Sequence, residues 1–381
     1  MYYGNNRMVF GKKRIRLVIW MFWAFEIVML FQTNYYNLGT IVSGALCGLI
    51  VFTYLLETHY VKVSKENVII FLYMLVLVGG TILTTNITSK LLQFIIYVTL
   101  YILLSSLYLT DEEKKLLENG FTLASVIYAI LIICSRFVHS TAYIHSNIIL
   151  FGTTLDPNYI GLPLVVAFSM LLFDFLNKKK SLLVISELFI IALAILLTAS
   201  RGNFVSLSVC IIGNIVFFLK TRDIGLTRKA IILAISVLGL ILFYRLASNN
   251  FNLFFERMTT FTSEGDISNG RFELWNQAIQ LWSEYPILGN GFESLGRRRG
   301  LGVHNTYIQL LCDSGLIGFS LFISFLYLLL KKSFLKDSKL FIGLLGLACH
   351  SFFLGAISSR CFWVVLIMAR LVLNNGTNQN R

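Results

Sequence analysis

"HNTYIQLLCDSGLIGFSLFISFLYLLLKK", His304–Lys332, decides what kind of chain this is. Its apolar run, residues 305–330, holds a single acid, Asp313. The run is longer than the about 20 residues an α-helix needs to cross the hydrocarbon core of a bilayer. A His-Asn pair opens it and two lysines close it, so its two ends differ in chemistry.

Working outward, eleven more runs of this kind follow the same rule. They fall near 15–32, 38–56, 67–84, 90–109, 120–138, 158–176, 181–199, 203–219, 229–246, 340–356 and 358–373. Composition agrees: of 381 residues, 56% are hydrophobic and 13% charged, and the mean hydropathy is +0.75. That much apolar surface exceeds what a water-soluble core can bury, so the solvent is a lipid bilayer. Three prolines in the whole chain suit a helical build. The expected fold is all-α, a polytopic membrane protein of about 12 transmembrane helices.

Six cysteines stand singly, which points to neither a disulfide framework nor a zinc site. The basic N-terminal stretch runs into an apolar segment without a small-residue cleavage site, and reads as a retained first helix. The net charge of +13 lies in short runs between apolar blocks, a topology signal with no nucleic-acid recognition motif beside it.

Those runs set the orientation. With the N-terminus in the cytoplasm, 21 Lys/Arg fall inside and ten outside; fifteen of sixteen lysines are inside, Lys90 being the exception. The loops "KTRDIGLTRK" and "KKSFLKDSK" are both lysine-rich, and each lies one span from the long segment 247–304. That segment is therefore expected on the extracytoplasmic side. The organisation is 1–246 for spans 1–9, 247–304 for the outer loop, 305–373 for spans 10–12, and 374–381 for a polar cytoplasmic tail.

The outer loop carries most of the chemistry. Trp275, Ala278, Ile279 and Trp282 recur at helical spacing, predicting a helix over about 271–284 with one apolar face. Ser268 or Asn269 can cap it, which puts Arg271 among free N–H groups at the positive dipole end, a phosphate-binding environment. The two tryptophans equally suit an interfacial helix anchored on the membrane. "GNG", Gly289–Gly291, predicts tight turns that bring backbone close to a helix or ligand. His304 precedes a span capped by Asn305 or Thr306, and the field of Arg297, Arg298 and Arg299 favours its neutral, base-competent form.

Elsewhere, "TASRGN" puts Arg201 in a short outer turn, and "LDPNY" opens the sixth span with Asp156 as cap and Pro157 at its first position. Arg136 and Arg360 near outer helix ends read as snorkelling side chains. Glu26, Glu187, Asp313 and His350 lie at membrane depth, where ionisable groups are costly. Asp313 lies just before a glycine that can kink its helix.

Taken in order, these motifs are recognisable. "SRG" after the seventh span, a long outer loop with "R-x-x-x-W…P-x-x-G-x-G" and "H-N-T-Y-x-Q-x-x-x-x-x-G-x-x-G" at its exit resemble the O-antigen ligase/O-antigen polymerase (Wzy-type) family. "DPN" before the sixth span is also like it. The resemblance implies a metal-independent glycosyltransferase without cofactors, acting on polyprenyl-diphosphate-linked oligosaccharides as donor and acceptor. It implies His304, Arg271 and Arg201 as the catalytic set. Arg297, Arg298, Arg299, Asn305, Asp156, Asn158 and Trp275 are then the substrate-binding positions. Its setting would be a bacterial cytoplasmic membrane, with a flippase and a chain-length regulator of the same pathway as partners, and no nucleic acid. Three rivals stand beside the polymerase: a ligase passing glycan to lipid A core or protein, a transporter of an anionic substrate, and a non-catalytic assembly scaffold.

Overall fold

The computed structural model describes residues 63–84, 87–107, 109–138, 148–150, 153–177, 181–198, 200–221 and 270–374, with isolated positions 45, 48, 49 and 52. The expected spans near 15–32 and 229–246, all of 38–56 but those isolated positions, the capping residues Ser268 and Asn269, and Glu26 lie outside the described residues.

The described chain is built of helices: α1 (Lys65–Thr84), α2 (Ser89–Ser105), α3 (Asp111–Val138), α4 (Pro157–Asn177), α5 (Leu182–Leu197) and α6 (Arg201–Thr221). After the loop come α7 (Arg271–Trp282), α8 (Ser294–Arg299), α9 (Thr306–Lys336), α10 (Ser338–His350) and α11 (Arg360–Leu373). A small antiparallel pair, β1 (Ile148–Leu150) and β2 (Thr153–Leu155), precedes α4, an addition that hydropathy did not foretell. Five of these helices, α1, α3, α4, α6 and α9, are long and apolar enough to cross a membrane, and α2, α5 and α10 are shorter apolar helices.

The bundle has a lipid-type exterior. On α5, Leu182 is 88% exposed, and α1 shows Val68, Phe71, Leu72 and Leu75 on its outer side. Water would penalise such rows, whereas hydrocarbon accepts them. The inner sides close on α11, nearly all of which is buried, with Trp363 packed edge-on against Phe94, Tyr101 and Phe362.

One break positions the site. In α9 the chain leaves helical geometry at Gly315 (φ 61, ψ −167), a conformation essentially confined to glycine. The break uncouples four backbone groups that an i→i−4 ladder would have joined: the carbonyls of Cys312 and Asp313 and the N–H groups of Leu316 and Ile317. The loop segment 286–291 satisfies all four. Asn290 N donates to Cys312 O at 2.9 Å and Gly291 N to Asp313 O at 2.9 Å, while Leu316 N and Ile317 N donate to Pro286 O and Ile287 O at 2.9 and 3.2 Å. The "GNG" turn thus approaches a helix backbone rather than a ligand. Such pairing is what makes broken helices tolerable at membrane depth.

Candidate active site

Two helix N-termini are tied together first. Asp156 Oδ1 accepts from Asn158 N at 2.8 Å and from Asn158 Nδ2 at 2.9 Å, which turns the chain into α4. Ser200 Oγ donates to Asn158 Oδ1 at 2.6 Å and accepts from Asn203 N at 3.2 Å, capping α6. Asn203, fully buried, donates from Nδ2 to Pro157 O at 2.9 Å and Thr198 Oγ1 at 2.8 Å. His350 Nε2 is 2.9 Å from Asn158 O, and since a carbonyl can only accept, Nε2 carries the proton. "DPN" and "SRGN" are therefore one hydrogen-bonded unit. It sets Arg201, the first residue of α6, beside the turn that carries Asp156.

The loop approaches from the other side. Helix α7 begins at Arg271 behind Gly270, which turns the chain into the helix at φ 77. Its buried face is Ala278 and Leu281, packed with Leu295, Val303 and Cys312 and flanked by Leu274, Trp275 and Trp282. Ile279, expected on that face, is instead 45% exposed, because the contact is centred on Ala278 and the next residue points about 100° away. The tryptophans face protein: Trp275 Nε1 donates to Val303 O at 3.1 Å and Trp282 Nε1 to Pro286 O at 3.0 Å.

That first tryptophan bond holds the residue before His304. On its other side, Asn305 caps α9, accepting from Tyr307 N and Ile308 N at 3.0 and 3.1 Å. Thr306 is fixed through Thr306 N to Ser351 O at 2.8 Å and Oγ1 to Leu354 O at 2.7 Å. Between these anchors His304 is held at φ 51, a left-handed pose that a non-glycine residue adopts only when its surroundings impose it.

Electrostatics show which charges meet. Burial pushes the His304 imidazole below its usual range; the Arg271 charge lowers it further and Asp156 opposes. Burial also depresses the Arg271 guanidinium, with Arg201 lowering and Asp156 raising it. Arg201, Arg271, His304 and Asp156 thus form one cluster. The neutral form of His304 is favoured by burial and Arg271, correcting the expectation that the arginine run supplies that field.

His304 also borders an open cavity of about 490 Å³, together with Lys90, Tyr159, Glu293, Arg297, Gln309 and Asp313. Asp313, at the break in α9, is its organiser. Its carboxylate accepts from Glu293 N and Ser294 N, both at 2.9 Å, from Ser294 Oγ at 2.7 Å, and from Gln309 Nε2 at 3.3 Å. It therefore stands at the N-terminus of α8, where the dipole favours an anion. Glu293 at φ 49 turns its side chain to Lys90 Nζ, 2.8 Å away.

Helix α8 separates the three arginines. Arg297 is half-buried and donates from Nη2 to Asn290 O at 3.1 Å; burial lowers its pKa and Asp313 and Glu293 raise it. Arg298 forms a two-pronged pair with Glu284, at 3.1 and 3.0 Å. Arg299 is exposed. Of the three, Arg297 lines the His304 cavity, and Arg298 and Arg299 do not. Asn305, Asn158 and Trp275 make hydrogen bonds that fix the backbone and turns beside their charged neighbours. Snorkelling also fails for Arg360, which is 3% exposed, and Arg136 Nε donates to Leu197 O at 3.1 Å.

Lys90, Tyr159, Glu293 and Gln309 were not among the expected site residues. Lys90 alone had a signal, as the single lysine on the outer side.

Fold and site together define a polytopic membrane protein with a cationic, partly buried site where a loop closes over one end of its helices. Residues 187–323 match the family described as O-Antigen ligase, which supports membership of the O-antigen ligase/polymerase family and a membrane glycan-transfer function. The match runs from α5 to the middle of α9, so it includes Arg201, Arg271, Asp313 and His304. No curated protein matches the chain.

Proposed function

We propose that the chain is a polysaccharide polymerase of the O-antigen or capsule type. It transfers a glycan from polyprenyl diphosphate to a sugar hydroxyl of a second lipid-linked repeat unit, at the outer face of a bacterial cytoplasmic membrane. One observation carries the reading: two guanidiniums and a neutral-favoured imidazole share one cluster with the Asp156 carboxylate.

The chemistry follows from those groups. Arg201 and Arg271 bind the diphosphate oxygens, and an anion held by both offsets their mutual repulsion. His304 takes the proton from the acceptor hydroxyl as that oxygen bonds to the anomeric carbon. The bond from that carbon to the phosphate oxygen breaks, and the diphosphate leaves with the electron pair. Negative charge grows on the leaving group, where the arginines stabilise it most. Asp156, bonded within its own turn, orients the two cations, and the Asp313-anchored cavity beside His304 receives the acceptor. A positioned base of this kind contributes about 10²–10⁴-fold.

The test uses purified full-length protein with a lipid-linked repeat unit. Wild type should yield a ladder of lengthening products, and His304→Ala or Arg271→Ala should abolish it with the protein still folded. Transfer of single glycans only to added core lipid would identify a ligase instead. Ladders from both variants would remove the proposed site.

A further inference from the structure

At the end of the bundle away from His304 lies a second cavity, of about 630 Å³, between α3, α4 and α5, with Lys339 of α10 in its wall. Asp174 marks its level on α4. It is seventeen residues from Pro157, hence about 25 Å along the helix from the candidate active site.

The charges of this cavity sort themselves. Lys339, 94% buried by its residual 6% exposure, is bound by Glu118 and lies 3.5 Å from Asp174. Lys114 pairs with Asp111 at 3.4 Å. Two lining residues are left over, Lys115 on α3 and Glu187 on α5, neither with an ion-pair partner among the described residues. Glu187 belongs to an otherwise apolar helix, where an unpaired carboxylate is costly. Leu123 and Leu183 also line the cavity and are exposed, at 41% and 68%.

We propose that this cavity binds a zwitterionic phospholipid of the ethanolamine type. Among the described residues, one cation and one anion without an ion-pair partner, on two helices that line a common space, match a phosphate beside an ammonium. The phosphate meets Lys115 and the ammonium meets Glu187. The acyl chains leave along Leu123 and Leu183. A purely anionic headgroup would leave Glu187 facing negative charge. A choline headgroup carries no N–H to donate to the carboxylate. In the topology read from the lysines, this is the cytoplasmic leaflet. The inference is independent of the glycan-transfer reading, because it involves none of those residues.

Full-length protein is equilibrated in nanodiscs with equal phosphatidylethanolamine, phosphatidylglycerol and phosphatidylcholine, extracted into mild detergent, and its retained lipid counted by native mass spectrometry. Wild type should retain phosphatidylethanolamine over the other two. Lys115→Met and Glu187→Gln should each lower that retention about tenfold or more, the loss of one charge-assisted contact. Arg298→Ala, at the opposite end, should leave it unchanged. Equal retention of the three lipids by wild type, preference for phosphatidylglycerol, or full retention by both variants would overturn the proposal. Both side chains lie outside the packed core, so an unchanged thermal midpoint shows that any loss of lipid is local.

Discussion

Gly315→Ala tests the device that joins loop to bundle. At φ 61 and ψ −167 an alanine is strained by about 1–3 kcal/mol. Its Cβ would also stand 2.3 Å from Ile287 O and 2.6 Å from Gly289 N, both backbone atoms of the inserted segment. Neither can rotate away, so α9 must yield. If α9 straightens, Cys312 O and Asp313 O recover Leu316 N and Ile317 N as partners. Then Asn290 N, Gly291 N, Pro286 O and Ile287 O lose theirs. Each group left dry costs about 1–3 kcal/mol, so four of them cost at least about 4 kcal/mol, a large share of a typical 5–15 kcal/mol.

Cys312 reports the outcome. It is fully buried, with Ser294 Oγ 3.2 Å from its sulfur, and the inserted segment and α8 cover it. In a background whose other cysteines are alanine, it should resist maleimide in the parent and react in the Gly315→Ala variant. The thermal midpoint should fall and the glycan ladder vanish. Gly79→Ala on the neighbouring α1 is the control, since a Cβ there meets nothing within 4 Å; it should be neutral or stabilising by up to about 1 kcal/mol. A protected Cys312 and an unchanged midpoint in Gly315→Ala would refute the reasoning.

Three further outcomes are expected. The acid limb of kcat/KM should lie below the ordinary histidine pKa of about 6.5, because burial and Arg271 hold His304 down. Activity is then lost as pH falls through that limb, and Arg271→Gln, with residual activity measured at high donor, should move it upward; a limb unmoved by that change separates the two residues. Asn203→Ala removes the bonds to Pro157 O and Thr198 Oγ1, and should cost about 1–3 kcal/mol in thermal stability and lower turnover. Arg298→Ala breaks only an exposed pair with Glu284, so its stability change should stay below about 1 kcal/mol and the ladder should persist.

Hydropathy made the helices legible because lipid imposes one length scale on every span. Thus 158–176 became Pro157–Asn177 and 203–219 became Arg201–Thr221. The start of α3 escaped that signal. Its first turns, "DEEKKLLENG", are polar, yet they extend the helix well beyond the apolar run at 120–138. The order of the motifs, through the family they resemble, also pointed to Arg201, Arg271 and His304. What spacing could not show was which charges share a space, because their proximity depends on tertiary hydrogen bonds. Asn203 to Pro157 O, and Trp275 to Val303 O, are separated by 46 and 28 residues.

The same bonds explain why an arginine run that dominates the loop by charge is not its centre. A charge contributes to chemistry in proportion to how well its position is fixed and how far water is excluded. Arg298 and Arg299 satisfy neither condition, being exposed at the end of a six-residue helix. Arg271 and His304 satisfy both: each is partly buried, one opening the helix that packs on Val303, the other following Val303 in sequence. The anchor of that arrangement is Asp313, whose carboxylate fixes α8 from a break in α9 that Gly315 permits. Losing Asp313 should therefore displace the cavity wall beside His304 while leaving all three arginines of the run in the chain, so charge without placement would be seen to fail.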